Sequence, residues 1–136
     1  MSGLILDTSA YVAFKRGQQQ AVEILQLAET IVIPVIVLGE LLAGFAFGAR
    51  EAENRRELTA FLDSPRVQMA TVGSTTASWY GRVYANLRRL GRPIPANDLW
   101  IAATALQSGL PVFSYDRHFK SVEGLGLITQ PEDLLP

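Results

Sequence analysis

The stretch Leu4-Ile5-Leu6-Asp7-Thr8-Ser9, residues 4–9, joins a short apolar run to the start of a helix. Leu4-Ile5-Leu6 predicts a buried strand, and residues 9–14 predict a helix with Thr8 or Ser9 as its N-cap. The same order of strand and then helix recurs along the chain. Alternating strands and helices are typical of a parallel sheet that is covered by helices on both faces. The sequence therefore predicts an α/β fold.

The remaining elements follow from hydrophobic periodicity. Further strands are predicted at residues 31–33, 67–69, 112–113 and 127–128, and further helices at residues 18–28, 35–47, 50–62, 75–90 and 99–107. Pro34 stops the second strand, and Gly91 and Gly109 close the last two helices. We find no linker, repeat or low-complexity segment in the sequence. Residues 1–136 are therefore expected to form a single domain.

Composition excludes several kinds of site. The sequence has no cysteine, which rules out disulfides and thiolate ligands, and its single histidine rules out a multi-histidine zinc site within one chain. The apolar run at the N-terminus is too short for a signal peptide, and no stretch approaches the ~20 residues that span a bilayer. We therefore expect a cytoplasmic protein without a membrane segment. The formal net charge of −1 provides no general attraction for nucleic acid.

Four acidic residues fall where this fold would bring them to one edge of the sheet. Asp7 and Asp116 follow predicted strands, whereas Glu40 and Asp98 lie on predicted helices or at their starts. Ligands of open parallel sheets bind outside the carboxyl ends of the strands. Clustered carboxylates resist ionisation unless a cation neutralises them, and Mg²⁺ or Mn²⁺ is the cation that suits such oxygen ligands.

Each acid also has an ordinary structural explanation. Asp7 fits an N-cap of the following helix, and Asp116 fits a turn residue. Asp98 fits the first turn of its helix, where the helix dipole favours a carboxylate, with Asn97 as the N-cap. These alternatives do not explain why all four acids are predicted at the same edge of the sheet.

Four segments of the chain resemble the motifs of PIN-domain ribonucleases, in order and with typical spacing. They are residues 4–9, 35–41, 93–105 and 110–119. The chain is also similar in size to the toxin of VapBC-type toxin–antitoxin pairs. The resemblance implies a three-layer PIN-like fold, in which helices flank both faces of a short, mostly parallel central sheet of about five strands.

The resemblance also implies a mechanism. Asp7, Glu40, Asp98 and Asp116 would hold Mg²⁺, with Mn²⁺ as the alternative, in one or two positions. Ser114 would support catalysis by orienting Asp7 or a water molecule. Water activated by the metal would then hydrolyse an RNA phosphodiester, leaving a 5′-phosphate and a 3′-hydroxyl. The implied partners are an RNA substrate, a cognate antitoxin and a second copy of the chain in a homodimer.

Basic side chains beside the acids are predicted to contact the RNA backbone. They are Lys15, Arg16, Arg82, Arg88, Arg89 and Arg92, although a solvated helix face is the ordinary fate of such residues. The aromatic residues Trp79, Tyr80 and Tyr84 fit either base stacking or helix packing. We assign His118 to a loop anchored by Phe119 rather than to catalysis.

The third helix carries more apolar surface than one core face requires, through Leu41, Leu42, Phe45 and Phe47. This surplus predicts either a deep core or a groove for an apolar segment of the antitoxin. The alternative function is a non-catalytic PIN-like binding module that acts through protein or RNA partners. The presence of all four acids favours the enzyme. A phosphohydrolase with Asp7 as nucleophile is disfavoured, because Ser9 stands where a second aspartate would be needed.

Overall fold

The computed structural model describes residues 2–134, which contain a five-stranded sheet and six α-helices. The strands are β1 Gly3–Leu6, β2 Thr30–Pro34, β3 Val67–Ala70, β4 Val112–Phe113 and β5 Leu127–Ile128. The helices are α1 Thr8–Lys15, α2 Gln19–Leu27, α3 Val35–Phe47, α4 Glu51–Leu62, α5 Ser74–Arg89 and α6 Ala96–Ser108. Short 3-10 helices cover Arg117–Ser121 and Pro131–Leu134.

The strand order is β3-β2-β1-β4-β5, and all four pairings between neighbouring strands are parallel. From β1 the chain adds strands first on one side and then on the other. Right-handed crossovers in opposite directions place the connecting helices on opposite faces of the sheet. The predicted α/β fold with a short, mostly parallel sheet of about five strands is thus confirmed. The direction of winding changes between β1 and β4, which is where ligands of such sheets bind.

The strands on either side of this switch point are fully buried. Leu4, Ile5 and Leu6 of β1 and both residues of β4 have no exposed surface. Continuous apolar runs of this kind are expected for parallel strands that are covered on both faces. The carboxyl ends of β1 and β4, and the residues that follow them, are therefore held by the core of the protein.

Helix α6 is the most buried helix, with Ile101, Ala102, Ala103 and Ala105 completely inaccessible to solvent. It begins at Ala96 with Pro95 in the N-cap position, so the predicted start at residue 99 and the predicted N-cap at Asn97 are wrong. Asp98 lies in the first turn of α6, as predicted. The alanines allow close packing, and this packing holds Asp98 in place.

Helices α5 and α6 form an antiparallel hairpin. The hydroxyl of Thr76, near the start of α5, donates a hydrogen bond of 2.5 Å to Oε1 of Gln107, near the end of α6. The end of α5 therefore lies near the start of α6, which carries Asp98. Within residues 2–134, no helix is long and apolar enough to cross a bilayer.

We predict that Ile5→Ala lowers the free energy of unfolding by about 2–5 kcal/mol, because it opens a cavity in the central strand. The control is Gln68→Ala on the edge strand β3, which is exposed, and it should cost less than about 1 kcal/mol. Urea titration of both variants measures the difference. Equal losses would contradict the assignment of β1 as the buried centre of the sheet.

Candidate active site

Asp7 and Ser114 meet at the switch point, directly after β1 and β4. Asp7 is 4% exposed, and its Oδ2 accepts a hydrogen bond of 2.6 Å from the Ser114 hydroxyl and another of 3.3 Å from the Ser9 hydroxyl. The backbone N–H of Asp7 donates to the carbonyl of Phe113 at 3.1 Å. Asp7 occupies the N-cap position of α1, so the predicted cap at Thr8 or Ser9 is wrong. Its side chain makes no capping hydrogen bond, and the carboxylate is therefore not explained as a helix cap.

Asp98 and Asp116 both contact one ring nitrogen of His118. Nδ1 of His118 is 2.7 Å from Oδ2 of Asp98 and 2.9 Å from Oδ1 of Asp116. One potential ligand atom from each of these three residues lies within 4.8 Å of the other two, and no other such group occurs in the described part of the chain. The assignment of His118 to a loop outside the site is therefore wrong, although Phe119 is fully buried as predicted.

Glu40 is positioned by residues from two other elements. Its Oε1 accepts a hydrogen bond of 2.7 Å from the hydroxyl of Thr8, which is the first residue of α1. Its Oε2 accepts one of 3.3 Å from the side-chain amide of Asn97 in the first turn of α6. Glu40 is therefore tied to the residue that follows Asp7 and to the residue that precedes Asp98.

Burial raises the pKa values of two of the acids. The pKa of Asp7 is raised mainly by burial and further by the charge of Glu40, against the opposing hydrogen bond from Ser114. The pKa of Asp98 is also raised mainly by burial, and the charges of Asp116 and Asp7 add to the increase. All four carboxylates therefore act electrostatically on at least one other member of the group.

A divalent cation fits this donor set. Buried carboxylates that repel one another are stabilised by a positive charge, and several carboxylate oxygens facing one space are the ligands that hard cations take. Asp98 and Asp116 offer oxygens within 4.8 Å of each other, and Asp7 and Glu40 are linked to them by charge and through Thr8 and Asn97. The group is thus chemically suited to hold a metal ion.

The predicted RNA-binding residues are distributed over two regions. Arg82, Arg88, Arg89 and Arg92 are exposed on α5 and on the loop that leads to α6. Lys15 and Arg16 lie at the far end of α1, about 12 Å along the helix from Asp7, and Lys15 forms an ion pair of 3.0 Å with Glu57. Arg88 and Arg89 thus lie at the end of α5 that leads to the start of α6, whereas Arg82 lines a pocket with Leu106, near the other end of α6.

An aromatic row runs along α5 toward the start of α6. The rings of Tyr80 and Trp100 are 4.3 Å apart, Tyr84 stacks on Tyr80 at 6.4 Å, and the Arg88 guanidinium lies over Tyr84 at 5.7 Å. Tyr80 packs against the core, whereas Tyr84 is 46% exposed. The row therefore combines helix packing at one end with an accessible aromatic and cationic surface at the other.

Comparison with known proteins gives the family. The model of the PIN domain matches residues 4–125. This chain belongs to the PIN-domain family. Ribonuclease VapC5 of Mycobacterium tuberculosis is 31% identical over 121 residues, which cover 88% of this chain and 87% of the relative. Ribonuclease VapC1 of Rickettsia felis is 30% identical over 131 residues, covering 93% and 96%. The resemblance to PIN-domain VapC proteins is confirmed.

The fold of this PIN domain is shared with a solved complex. The crystal structure of VapBC2 from Rickettsia felis bound to a DNA fragment from its promoter aligns with a TM-score of 0.83 and 26% identity. The alignment covers 93% of this chain and 97% of the other. The five-stranded parallel sheet and its flanking helices are therefore the PIN-like architecture.

Sequence reasoning missed the contacts of Thr8 and Asn97 with Glu40 and the place of His118 beside the acids. A signal for His118 was present in the sequence. An aspartate readily accepts a hydrogen bond from the backbone N–H two residues later, and Asp116 accepts such a bond of 2.9 Å from His118. This turn brings the ring of residue 118 back toward the carboxylate. The contacts of Thr8 and Asn97 with Glu40 span 32 and 57 residues and have no local signal.

We predict that Asp7→Asn raises the melting temperature of the metal-free protein, because it removes a buried charge and keeps an acceptor for Ser114. Each 1 kcal/mol corresponds to about 4 °C in a domain of this size. Burial raises the pKa of Asp7 above 3.8, so wild-type stability falls as the pH rises through the raised pKa. The advantage of the variant should therefore be small below pH 3.8 and full at neutral pH.

Thermal unfolding with EDTA across this pH range tests the prediction. The control is Asp63→Asn, an exposed residue at the end of α4, which should change stability by less than about 0.5 kcal/mol. A loss of stability in Asp7→Asn at neutral pH would show that the Asp7 carboxylate stabilises the fold and would contradict the repulsion model.

Proposed function

We propose that this chain is a metal-dependent endoribonuclease and the toxin of a type II toxin–antitoxin system. The observation that carries the proposal is the placement of four electrostatically linked carboxylates after β1, on α3, on α6 and after β4, with Asp98 and Asp116 offering oxygens within 4.8 Å of each other at the switch point of a PIN fold. The curated relatives are named ribonucleases, and hydrolysis of RNA is the reaction that their names imply for this site. Such an enzyme would act on cellular RNA in the cytoplasm.

Asp7, Glu40, Asp98 and Asp116 would hold the cation, with Mg²⁺ as the first candidate and Mn²⁺ as the second. When bound, the cation would lower the pKa of an attacking water and neutralise charge on the phosphodiester. Ser114 would contribute by holding the Asp7 carboxylate in one orientation through its 2.6 Å hydrogen bond. Supporting hydrogen bonds of this kind typically change metal affinity or activity by 10–100-fold when they are removed.

We predict that Asp98→Ala lowers RNA cleavage at least about a hundredfold, and that Ser114→Ala lowers it about tenfold. The partner-free protein is incubated with total cellular RNA and Mg²⁺ or Mn²⁺, and cleavage ends are mapped by sequencing. The matched control is Glu51→Ala, which removes an exposed acid from the first turn of α4 and should leave cleavage unchanged.

The outcomes separate the enzyme from the alternative. Discrete cuts with 5′-phosphate ends that disappear with EDTA and in Asp98→Ala would support the nuclease. A wild-type protein that binds RNA but cleaves none of it with either metal would instead favour the non-catalytic binding module. Cleavage that survives both EDTA and Asp98→Ala would indicate a contaminating nuclease and would remove the support for this proposal.

We propose that RNA follows the exposed end of the aromatic row. Arg88 lies over Tyr84, so a phosphate and a base would meet a guanidinium and an aromatic face within one helical turn. The hairpin of α5 and α6 brings the end of α5, which carries Arg88, near the start of α6, which carries Asp98. Arg89 and Arg92 continue the positive charge into the loop before α6. Lys15 and Arg16 remain predicted RNA contacts, with weaker support because Lys15 is paired with Glu57.

We predict that Arg88→Ala weakens RNA binding and lowers the slope of log Kd against log salt by about 0.7, the value for one phosphate contact with a single strand. Fluorescence anisotropy with a labelled RNA in Ca²⁺ or EDTA measures binding without turnover. Arg56→Ala on the exposed face of α4 is the matched control and should leave the slope unchanged. A slope for Arg88→Ala equal to that of the wild type would contradict the proposal that RNA binds along α5.

We propose that a cognate antitoxin binds the cleft between α1, α3 and α4. The solved relatives of this fold include VapBC complexes from Rickettsia felis and Salmonella typhimurium. The cleft has a volume of about 520 Å³, and its walls include Lys15, Phe45, Arg50 and Glu57. Tyr11 also lines it and is 2% exposed, and its hydroxyl has no hydrogen-bond partner among the described residues.

Some apolar residues of α3 are buried in the core, and others remain accessible to a partner. Leu41 is buried in the core and is unavailable to a partner. The prediction that Leu41 contributes to a groove is therefore wrong. Leu42 and Phe45 are half-buried, and Phe47 is 95% exposed. An apolar antitoxin segment would cover the accessible parts of the Phe45 and Phe47 rings and remove them from water.

We predict that Phe47→Ala weakens the complex without destabilising the free chain. The free protein should keep its stability, because Phe47 is 95% exposed, whereas affinity for the antitoxin should fall about tenfold as apolar contact is lost. Leu90→Ala at the end of α5, where the residue is 54% exposed, is the control and should leave the affinity unchanged. Thermal unfolding and calorimetric titration with the antitoxin measure the two effects. Unchanged affinity in Phe47→Ala would place the antitoxin elsewhere.

We propose that the chain forms a homodimer, as the family resemblance implies. Exposed apolar side chains cluster around the carboxyl ends of β2 and β3, where Pro34 pairs with Ala70. They are Val35, Met69 and Val72, with exposures of 39%, 55% and 40%. A second copy of the chain would remove this apolar surface from water.

A further inference from the structure

The His118 imidazole is the one nitrogen donor at a site otherwise built from oxygen. Its Nδ1 lies 2.7 Å from Oδ2 of Asp98 and 2.9 Å from Oδ1 of Asp116. The ring belongs to an exposed residue, with 46% of the side chain accessible, so no packing requirement forces it between the two carboxylates. The sequence contains no other histidine.

The two distances from Nδ1 to the carboxylate oxygens are close to those between neighbouring ligands on one ion. Neighbouring ligands of an octahedral ion with bonds of 2.0–2.1 Å are about 3.0 Å apart. The two contacts of Nδ1 differ from this spacing by a few tenths of an ångström. A cation bound between Asp98 and Asp116 would therefore meet the ring nitrogen with only a small adjustment of the side chains.

The backbone holds the ring in this place. The N–H of His118 donates a hydrogen bond of 2.9 Å to Oδ1 of Asp116, the same oxygen that faces the ring nitrogen. Asp116 is the N-cap of the 3-10 helix Arg117–Ser121, and the next residue, Phe119, is fully buried. The turn thus holds the side chains of Asp116 and His118 next to each other, with the His118 ring in contact with the carboxylate of Asp98.

We propose that Nδ1 of His118 is a direct ligand of the divalent ion bound by Asp98 and Asp116, and that it makes the site prefer Mn²⁺ to Mg²⁺. This inference rests on the proposed metal-dependent function. Carboxylates suit Mg²⁺ and Mn²⁺ alike, whereas imidazole suits transition metals, and Mg²⁺ prefers oxygen ligands. The carboxylates explain why a cation binds, and the nitrogen determines which cation binds more tightly.

A simpler role for His118 is to position Asp98 through a hydrogen bond. His118→Asn distinguishes the two roles, because an asparagine side chain retains a hydrogen-bond donor near the position of Nδ1 but offers a metal only a hard amide oxygen. If His118 is a ligand, the variant loses its preference for Mn²⁺ and retains Mg²⁺ binding. If His118 only positions Asp98, the ratio of the two affinities stays constant.

The decisive measurement detects the bond between metal and nitrogen directly. Protein labelled with [¹⁵N]histidine contains one labelled imidazole, provided that it is purified without a polyhistidine tag. Pulsed electron paramagnetic resonance of the Mn²⁺-loaded protein should then show the coupling of a directly bonded ¹⁵N nucleus. Unlabelled protein should show the corresponding ¹⁴N coupling, and His118→Asn should show neither.

Calorimetric titration supplies an independent measurement. The ratio of the Mn²⁺ and Mg²⁺ affinities should fall at least about tenfold in His118→Asn, as expected for the loss of a ligand or of its close support. The matched control is Asn54→Ala on α4, which is remote from the acids and should leave the ratio unchanged.

The outcomes separate this inference from the proposed function. Normal Mn²⁺ binding and RNA cleavage without nitrogen coupling would overturn the role of His118 and leave the nuclease intact. Nitrogen coupling in a protein that cleaves no RNA would support the ligand and contradict the nuclease. A protein that binds neither ion would overturn both.

Discussion

The structure depends on the burial of two carboxylates, Asp7 and Asp98, beside further negative charge. Burial raises the pKa values of both groups and neighbouring carboxylates raise them further, whereas hydrogen bonds with Ser114 and His118 lower them. Buried carboxylates that repel one another lower stability when they are charged and gain stability when a cation binds. The proposed cation would therefore offset a cost that the free chain carries.

The core supplies the rigidity that this arrangement requires. Asp7 follows the fully buried strand β1, and Asp98 lies in the first turn of the most buried helix, α6. Neither carboxylate can move away from the other without disturbing close-packed side chains. The more exposed acids, Glu40 and Asp116, are held by hydrogen bonds instead. Packing thus holds the segments that carry Asp7 and Asp98, and hydrogen bonds hold the side chains of Glu40 and Asp116.

The surfaces around the site have different chemistry, which suits different partners. The α5 side presents arginines and Tyr84, which would suit the phosphates and bases of the proposed RNA. The cleft between α1, α3 and α4 combines the apolar ring of Phe45 with side chains of both charges, which would suit the proposed antitoxin segment. Lys15 belongs structurally to this cleft through Glu57, even though it follows Asp7 closely in sequence.

The sequence by itself determined the alternation of strands and helices, the parallel sheet and the four acids near its carboxyl edge. Hydrophobic periodicity and short motifs involve residues that are close together in the chain, so they can be recognised from the sequence alone. Only the tertiary structure decided that Pro95 rather than Asn97 precedes α6, that Leu41 joins the core, and that Thr8 and Asn97 hold Glu40. It also decided that His118 faces Asp98, which lies 20 residues away in the chain. The physical reason is that these contacts join distant segments, and their geometry follows from how the helices pack on the sheet.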